Sequence, residues 1–87
     1  MSEQEIWIVV GQAGWVHIGY LEERADEFVL RKAATIRRWG TSSGLGQLAL
    51  QGPQSSTVLD PCGEYRVHKL CTVGRYRVVS AAWEAIL

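Results

Sequence analysis

The sequence predicts a mainly β domain: a small twisted antiparallel sheet or open barrel of five to six strands, with one short helical turn and a C-terminal helical segment. Three observations support this class. Runs rich in β-branched and aromatic residues alternate with turns rich in glycine or charge. Helical spacing is confined to one central block and the C-terminus. A length of 87 residues, 47% of them hydrophobic, suits one core, so 1–87 is predicted to be a single domain.

The first third of the chain predicts an antiparallel meander of three strands. Ile6–Val10 is a continuous apolar run, and Trp15–Leu21 returns after the glycine-containing turn Gly11–Gly14 to complete a hairpin. The charged segment Glu22–Glu27 predicts a second turn, followed by a third strand at Phe28–Arg31. The sequence therefore begins with consecutive neighbouring strands.

Alternation in the second strand separates two sets of side chains. Val16, Ile18 and Tyr20 share one face, whereas Trp15, His17 and Gly19 share the other. Because Gly19 has no side chain, we expect an aromatic ring, a bend of the chain or a ligand to pack over it.

The middle of the chain predicts a strand, a loop and a short helix. Ala33–Trp39 suits either the start of a helix or a strand after a bulge, and we favour a fourth strand at Thr35–Trp39. The loop Gly40–Gly44 supplies an N-cap, Ser42 or Ser43, for a helix at Leu45–Leu50. That helix ends at Gly52 with Pro53 just beyond.

The last third predicts further β-structure and a helical end. Thr57–Leu59 is a candidate edge strand before the Asp60-Pro61 turn. The clean alternation of Glu64–Thr72 predicts a strand, and Tyr76–Val79 returns as the last one. Ser80 is then a suitable N-cap for the segment Ala81–Leu87, which we expect to pack on the sheet or on a partner subunit.

The charge distribution points to a small anionic ligand rather than to duplex nucleic acid. Nine basic residues balance nine acidic ones, whereas a duplex-binding protein is usually basic. Glu3–Leu30 holds six acidic residues and one arginine, and Arg31–Arg38 holds four cations and no acid. This local basic patch favours a small anion or an acidic partner. The alternative is a solvated strand edge protected by charge.

Four tryptophans and an apolar C-terminal tail predict a homo-oligomer, because they exceed the apolar surface that so small a monomer readily covers.

Cys62 and Cys71 are the two cysteines. Without a secretory signal in Met1–Glu5, we expect reduced, buried thiols in a cytosolic protein. No apolar run approaches the roughly 20 residues of a membrane span, so no membrane association is predicted.

The sequence indicates a binding protein rather than an enzyme. The glycines of Gly40–Gly46 lack the Lys-Ser/Thr pair of a phosphate-binding P-loop, and no Gly-x-Ser-x-Gly elbow is present. Positions 17, 62, 68 and 71 lack the paired spacing of zinc ligands, so neither a metal nor a cofactor is predicted.

A binding cleft can instead be assembled from residues of the central block and the second strand. An arginine can grip a phosphate in bidentate fashion, a tryptophan can stack on a purine, and loop N–H groups can add contacts to an anion. The predicted ligand-binding residues are Trp15, His17, Tyr20, Arg37, Arg38, Trp39, Thr41, Ser42 and Ser43. The alternative is that Trp39 lies in the core, His17 is a satisfied strand histidine and the arginines are solvated.

The chain resembles a family of small proteins of unknown function that phages and prophages encode. The resemblance rests on Trp15–Leu21 (WVHIGYL), on Ala34–Gly40 (ATIRRWG) and on Leu45–Ala49 (LGQLA) followed by Gly52. The chain departs from the family pattern at Trp15 and at the glycines that flank Leu45. The resemblance implies a phage origin and a cytoplasmic site of action in a bacterium, and it implies no activity.

These observations lead to one functional expectation and two alternatives. The expectation is a non-enzymatic phage counter-defence protein, which sequesters a nucleotide-derived immune signal of the host in a pocket between subunits. The first alternative is an inhibitor or adaptor that binds a host defence enzyme through exposed tryptophan. The second is a module that binds single-stranded nucleic acid on the sheet.

Overall fold

A computed structural model describes residues 4–87 and contains one open, five-stranded antiparallel sheet with the strand order β4-β3-β2-β1-β5. The strands are β1 (Ile6–Gly11), β2 (Val16–Glu23), β3 (Glu27–Arg38), β4 (Val58–His68) and β5 (Thr72–Arg77). One α-helix, α1 (Leu45–Gln51), follows β3, and short 3-10 helices occupy Gln12–Gly14, Lys69–Cys71 and Ala81–Ala85. The predicted mainly β fold with five strands, a short helix and a helical C-terminal segment is confirmed.

The third strand is longer than predicted, because β3 continues through a bulge. The expected strands Phe28–Arg31 and Thr35–Trp39 are one strand, so the prediction of two was wrong. Ile18 pairs with Ala34 and Tyr20 with Arg31, which leaves one extra residue in β3. Lys32, within this irregularity, takes a left-handed backbone conformation with φ of 50°.

Gly19 makes the bulge possible. A Cβ at this position would lie 3.0 Å from the carbonyl oxygen of Arg31 and 3.0 Å from the Cβ of Leu30. The element that packs over Gly19 is therefore the backbone of the neighbouring strand. Any side chain here would push β3 away from β2 at the bulge.

The second half of the sheet also differs from the prediction. The expected strands Thr57–Leu59 and Glu64–Thr72 form the single edge strand β4, which ends at His68. Pro61 is tolerated inside it because β4 has a neighbour on one side only. β5 begins at Thr72 rather than at Tyr76, because the 3-10 turn Lys69–Cys71 ends the alternation early.

A short connection makes the sheet curl strongly. β4 and β5 lie at opposite edges, yet only residues 69–71 join them. Four Cα–Cα steps span at most about 14 Å, whereas four strand spacings in a flat sheet measure about 19 Å. The sheet must therefore bend to bring its edges together. The rings of His17 in β2 and Tyr65 in β4 accordingly stack with centroids 3.6 Å apart, although β3 lies between their strands.

The two faces of the sheet carry two hydrophobic clusters. The larger one joins the sheet to α1 and the C-terminal segment, and its members include Ile8, Ile18, Leu48 and Trp83. The smaller one, on the face that carries His17, is formed by Val9, Leu30 and Ala33, with Tyr65 and Val67 packed against it.

Hydrogen bonds fix the C-terminal segment to α1. The buried indole Nε1 of Trp83 donates to the carbonyl oxygen of Leu48 at 2.8 Å. The backbone N–H groups of Val79 and Ser80 both donate to the carbonyl oxygen of Ala49. The Ser80 hydroxyl accepts from the Ala82 N–H, as expected for an N-cap, so the segment after Ser80 packs on its own chain.

Two local expectations were wrong. Gly44, rather than Ser42 or Ser43, is the N-cap residue of α1. Cys62 and Cys71 are free but exposed, not buried. Both cysteines lie where the chain has solvent on one side, Cys62 in the irregular part of an edge strand and Cys71 at the end of the 3-10 connection.

We expect Trp83→Ala to lower the free energy of unfolding by about 3–5 kcal/mol, because it empties a fully buried site and leaves the Leu48 carbonyl without its donor. Trp15→Ala is the matched control, since Trp15 is 62% exposed, and should change stability by less than about 0.5 kcal/mol. Urea denaturation followed by circular dichroism measures both. Equal losses in the two variants would contradict the assigned core.

Candidate functional site

Six charged side chains from β2, β3, β4 and the turn between β2 and β3 form a closed ring of alternating charges on the surface. Each member contacts the next, with nitrogen–oxygen distances from 2.7 to 3.9 Å. In order around the ring the residues are Arg24, Glu22, Arg31, Glu64, Arg66 and Glu27. Hydrogen bonds from arginines lower the pKa values of Glu22 and Glu64 and keep both carboxylates charged.

Ion pairs neutralise part of the basic patch that the sequence predicts. Arg31 belongs to the ring, and Arg37 binds Asp60 of β4 through its Nε at 2.8 Å. Within residues 4–87, Lys32 and Arg38 are the two members of the patch that form no ion pair. Two of its four cations are therefore available to an external anion without breaking an ion pair formed within residues 4–87.

The loop before α1 already uses its N–H groups. The side-chain Oε1 of Gln47 accepts hydrogen bonds from the N–H groups of Ser42 and Ser43, at 3.1 and 2.8 Å. The hydroxyl of Thr41 accepts from the N–H of Gly44 at 3.1 Å. An anion at this loop would have to displace Gln47.

The two candidate stacking tryptophans are exposed. Trp15 precedes β2 and is 62% exposed, while Trp39 follows β3 and is 42% exposed. The backbone carbonyl of Trp39 accepts from the Thr57 hydroxyl at 2.6 Å, which fixes the loop at that point. Both indoles are therefore accessible to a partner.

His17 is buried, and burial lowers the pKa of its imidazole. Its ring stacks on Tyr65 with an angle of 13° between the planes, and its Nδ1 is buried without a hydrogen-bond partner among the described residues. Burial raises the pKa of Tyr65, and Coulombic repulsion from the sulfurs of Cys62 and Cys71, when these are ionised, raises it further. The His17 imidazole is therefore kept neutral, and the hydroxyl of the Tyr65 ring stacked on it stays protonated.

Tyr20 lies on the opposite face of β2 from His17, so the predicted residues do not form one site. Tyr20 packs against the larger cluster and lines an open cleft of about 970 Å³. The cleft lies between the sheet and the residues that follow β5. Its lining comprises Gln4, Glu5, Ile6, Tyr20, Arg31, Lys32, Arg77, Val78, Val79, Ser80 and Glu84.

Lys32 is the cation of this cleft that sequence reasoning missed. Its ammonium lies 6.0 Å from the centroid of the Tyr20 ring. The guanidinium of Arg77, by contrast, binds Glu5 at 2.7 Å, and Arg31 binds Glu22 and Glu64. Two sequence signals pointed to this position: the cationic segment Arg31–Arg38, which contains Lys32, and Gly19, whose missing side chain required a close neighbour.

No protein-family model, curated protein or solved structure matches the chain. Among residues 4–87, no helix has the length and apolar character needed to cross a membrane. In the same part of the chain, no group of three or more histidine, cysteine or acidic side chains could hold a metal ion.

We expect stability to fall as the pH is lowered from about 7.5 to about 5.5, because the unfolded imidazole of His17 binds protons near its ordinary pKa of 6.5 while the folded one resists protonation. His17→Phe keeps a ring that can stack on Tyr65 and should reduce this pH dependence. Urea denaturation at several pH values measures the effect.

The control is His68→Asn, which replaces an exposed imidazole and keeps an acceptor for the Leu70 N–H. It should preserve the pH dependence. A wild-type stability that is constant across this range would contradict the assigned role of burial.

Proposed function

We propose that this protein is a non-enzymatic binding protein that holds a small, anionic, nucleotide-like ligand in the cleft beside Tyr20 and Lys32. One observation carries the proposal. The Lys32 ammonium lies over an aromatic ring at the cleft with no carboxylate partner in residues 4–87, whereas the two arginines of the same cleft are neutralised. A ligand phosphate would supply the missing charge.

The backbone at Lys32 supports a functional role for this residue. A left-handed conformation costs a residue with a Cβ roughly 1–2 kcal/mol, and such strain concentrates at ligand-binding sites and other functional positions. An asparagine or glycine would fit φ of 50° with less strain, yet the position holds a lysine. The conformation gives that lysine its place beside Tyr20.

The remaining lining suits a ligand with a planar part. The Tyr20 ring offers a face on which a base can stack, a contact worth about 1–3 kcal/mol in proteins that bind single strands. The apolar part of the cleft wall is formed by Ile6, Val78 and Val79, and Ser80 adds a hydroxyl group. A volume near 970 Å³ is at the upper end of the range of small-molecule sites.

The resemblance to phage-encoded proteins supports a biological setting for this binding. In the proposed setting, the protein acts in the cytoplasm of a bacterial host and sequesters a nucleotide-derived immune signal. Sequestration requires affinity and a sufficient number of protein copies, and the cleft offers a cation and an aromatic face for binding.

A second candidate function is inhibition or recruitment of a host protein. The exposure of Trp15 and Trp39 favours it, because exposed tryptophans are frequent anchors of protein interfaces. Trp15→Ala with Trp39→Ala would abolish capture of a host protein and leave binding in the cleft unchanged. The two functions are thus separable by variants on different surfaces.

We expect Lys32→Gln to weaken ligand binding at least tenfold, because a charge-assisted contact to the anion is lost. Isothermal titration calorimetry with cyclic dinucleotides, ADP-ribose compounds and mononucleotides identifies the ligand class and measures the loss. Lys69→Gln is the matched control: the chain's other lysine pairs with Glu23 away from the cleft and should bind as wild type. No heat from any compound with the wild-type protein would refute the proposal.

Lys32→Gly should separate stability from binding. The variant relieves the left-handed strain and loses some of that gain through the flexibility of the unfolded chain, for a net stabilisation of about 0.5–1 kcal/mol. Binding of the same compound should weaken as in Lys32→Gln. Thermal unfolding and calorimetry measure the two effects, and destabilisation would show that the lysine supports the fold instead.

A further inference from the structure

The cleft of the proposed function contains a carboxylate as well as a cation that is open to a ligand. Its charged lining residues are Glu5, Arg31, Lys32, Arg77 and Glu84. Arg77 binds Glu5, and Arg31 binds two carboxylates of the surface ring. Among residues 4–87, neither Lys32 nor Glu84 has an ion-pair partner. The charges that remain for a ligand are therefore one cation and one anion.

These two groups belong to different elements of the cleft. Lys32 lies in the bulge of β3, and its ammonium is 6.0 Å from the centroid of the Tyr20 ring. Glu84 lies on the C-terminal 3-10 helix Ala81–Ala85, which follows β5 in the chain. Because the two groups do not pair with each other, a ligand that contacts both needs an anion at one end and hydrogen-bond donors at the other.

The neighbours of Glu84 fix its position in the chain. Trp83 is fully buried, and its indole Nε1 donates to the carbonyl oxygen of Leu48 at 2.8 Å. The Ser80 hydroxyl accepts from the Ala82 N–H at 3.2 Å at the start of the same helix. Glu84 itself is exposed. An accessible carboxylate is thus carried by an anchored backbone, as selective recognition requires.

A carboxylate distinguishes the nucleic-acid bases by their donors, because it accepts hydrogen bonds and donates none. Guanine presents two adjacent donors on its Watson–Crick edge, N1–H and the N2 amino group, which match the two oxygens of one carboxylate. Adenine, cytosine and uracil each place an acceptor next to their donor on that edge, and a carboxylate repels this acceptor. An unpaired carboxylate therefore favours guanine.

We propose that the cleft binds a guanine mononucleotide and that Glu84 selects the base, an inference that rests on the proposed function of this cleft. The phosphate binds Lys32, the base lies against Tyr20, and the N1–H and N2 amino groups donate to the Glu84 carboxylate. One phosphate matches the one free cation. The carboxylate disfavours a second phosphate on its own side of the cleft, because like charges repel.

The size of the cleft favours a nucleotide over a smaller zwitterion. A free amino acid also combines an anion with hydrogen-bond donors, but it would fill little of a cleft of about 970 Å³. Ligands in sites of this size are usually drug-sized and bury most of their surface. A nucleotide has that size, and its base supplies a planar surface for the Tyr20 ring.

Isothermal titration calorimetry with guanosine monophosphate (GMP) and adenosine monophosphate (AMP) tests the proposal. The wild type should bind GMP roughly tenfold more tightly than AMP, because a bidentate contact to a base edge discriminates by at least about this factor. The N1-methylated form of GMP keeps the phosphate and the ring but lacks the N1 proton. It should bind roughly tenfold more weakly than GMP.

Glu84→Gln tests the assigned residue. The glutamine amide accepts from the N6 amino group of adenine and donates to its N1, so the variant should bind GMP roughly tenfold more weakly than the wild type and AMP more tightly. Asp26→Asn is the matched control, because it removes an exposed carboxylate from the turn between β2 and β3, outside the cleft. It should leave both dissociation constants within about threefold of wild type. Thermal unfolding verifies that both variants fold.

Two outcomes would overturn the selection of guanine by Glu84. One is equal binding of GMP and AMP by the wild type; if Lys32→Gln weakens both, the cleft proposal itself stands. The other is a Glu84→Gln variant that binds both nucleotides more tightly, which would show that the carboxylate only repels phosphate. No heat from any compound would refute the cleft proposal and this inference with it, so the two failures are distinguishable.

Discussion

The curl of the sheet is the constraint on which the rest of this structure depends. Residues 69–71 join two edge strands that a flat sheet would hold too far apart, so the sheet must bend. Bending brings Tyr65 of the edge strand over His17 of the central strand and against the smaller cluster. The opposite face remains open for α1 and the C-terminal segment. The buried imidazole and the large core are thus two consequences of one short connection.

The bulge in β3 connects a local conformational cost to the candidate site. A strand that curls needs places where its twist can increase, and bulges supply them. Here the bulge lies beside Gly19, where the two backbones approach too closely for any side chain. The strained residue is Lys32, and its side chain reaches over Tyr20 at the cleft. Fold and candidate site therefore share this position.

Sequence patterns correctly predicted the structural features that depend on residues close together in the chain. Alternation identified the faces of β2, and Ser80 and Gly52 marked helix boundaries correctly. The patterns failed where contacts between residues far apart in the sequence determine the structure. Nothing local shows that Glu22 and Glu64 neutralise Arg31, or that Gln47 occupies the N–H groups of Ser42 and Ser43. Tyr20 was the one predicted site residue at the cleft, and Lys32 was missed because its conformation follows from strand pairing.

The cleft and the β5 edge are physically connected, since the chain passes directly from one to the other. Arg77 ends β5, and residues 78–80 continue as a wall of the cleft. Two N–H groups of that wall already bind the Ala49 carbonyl, which fixes it from the side of the helix. A wall ordered before the ligand arrives loses less conformational entropy on binding, so the hydrogen bonds to α1 favour affinity in the cleft.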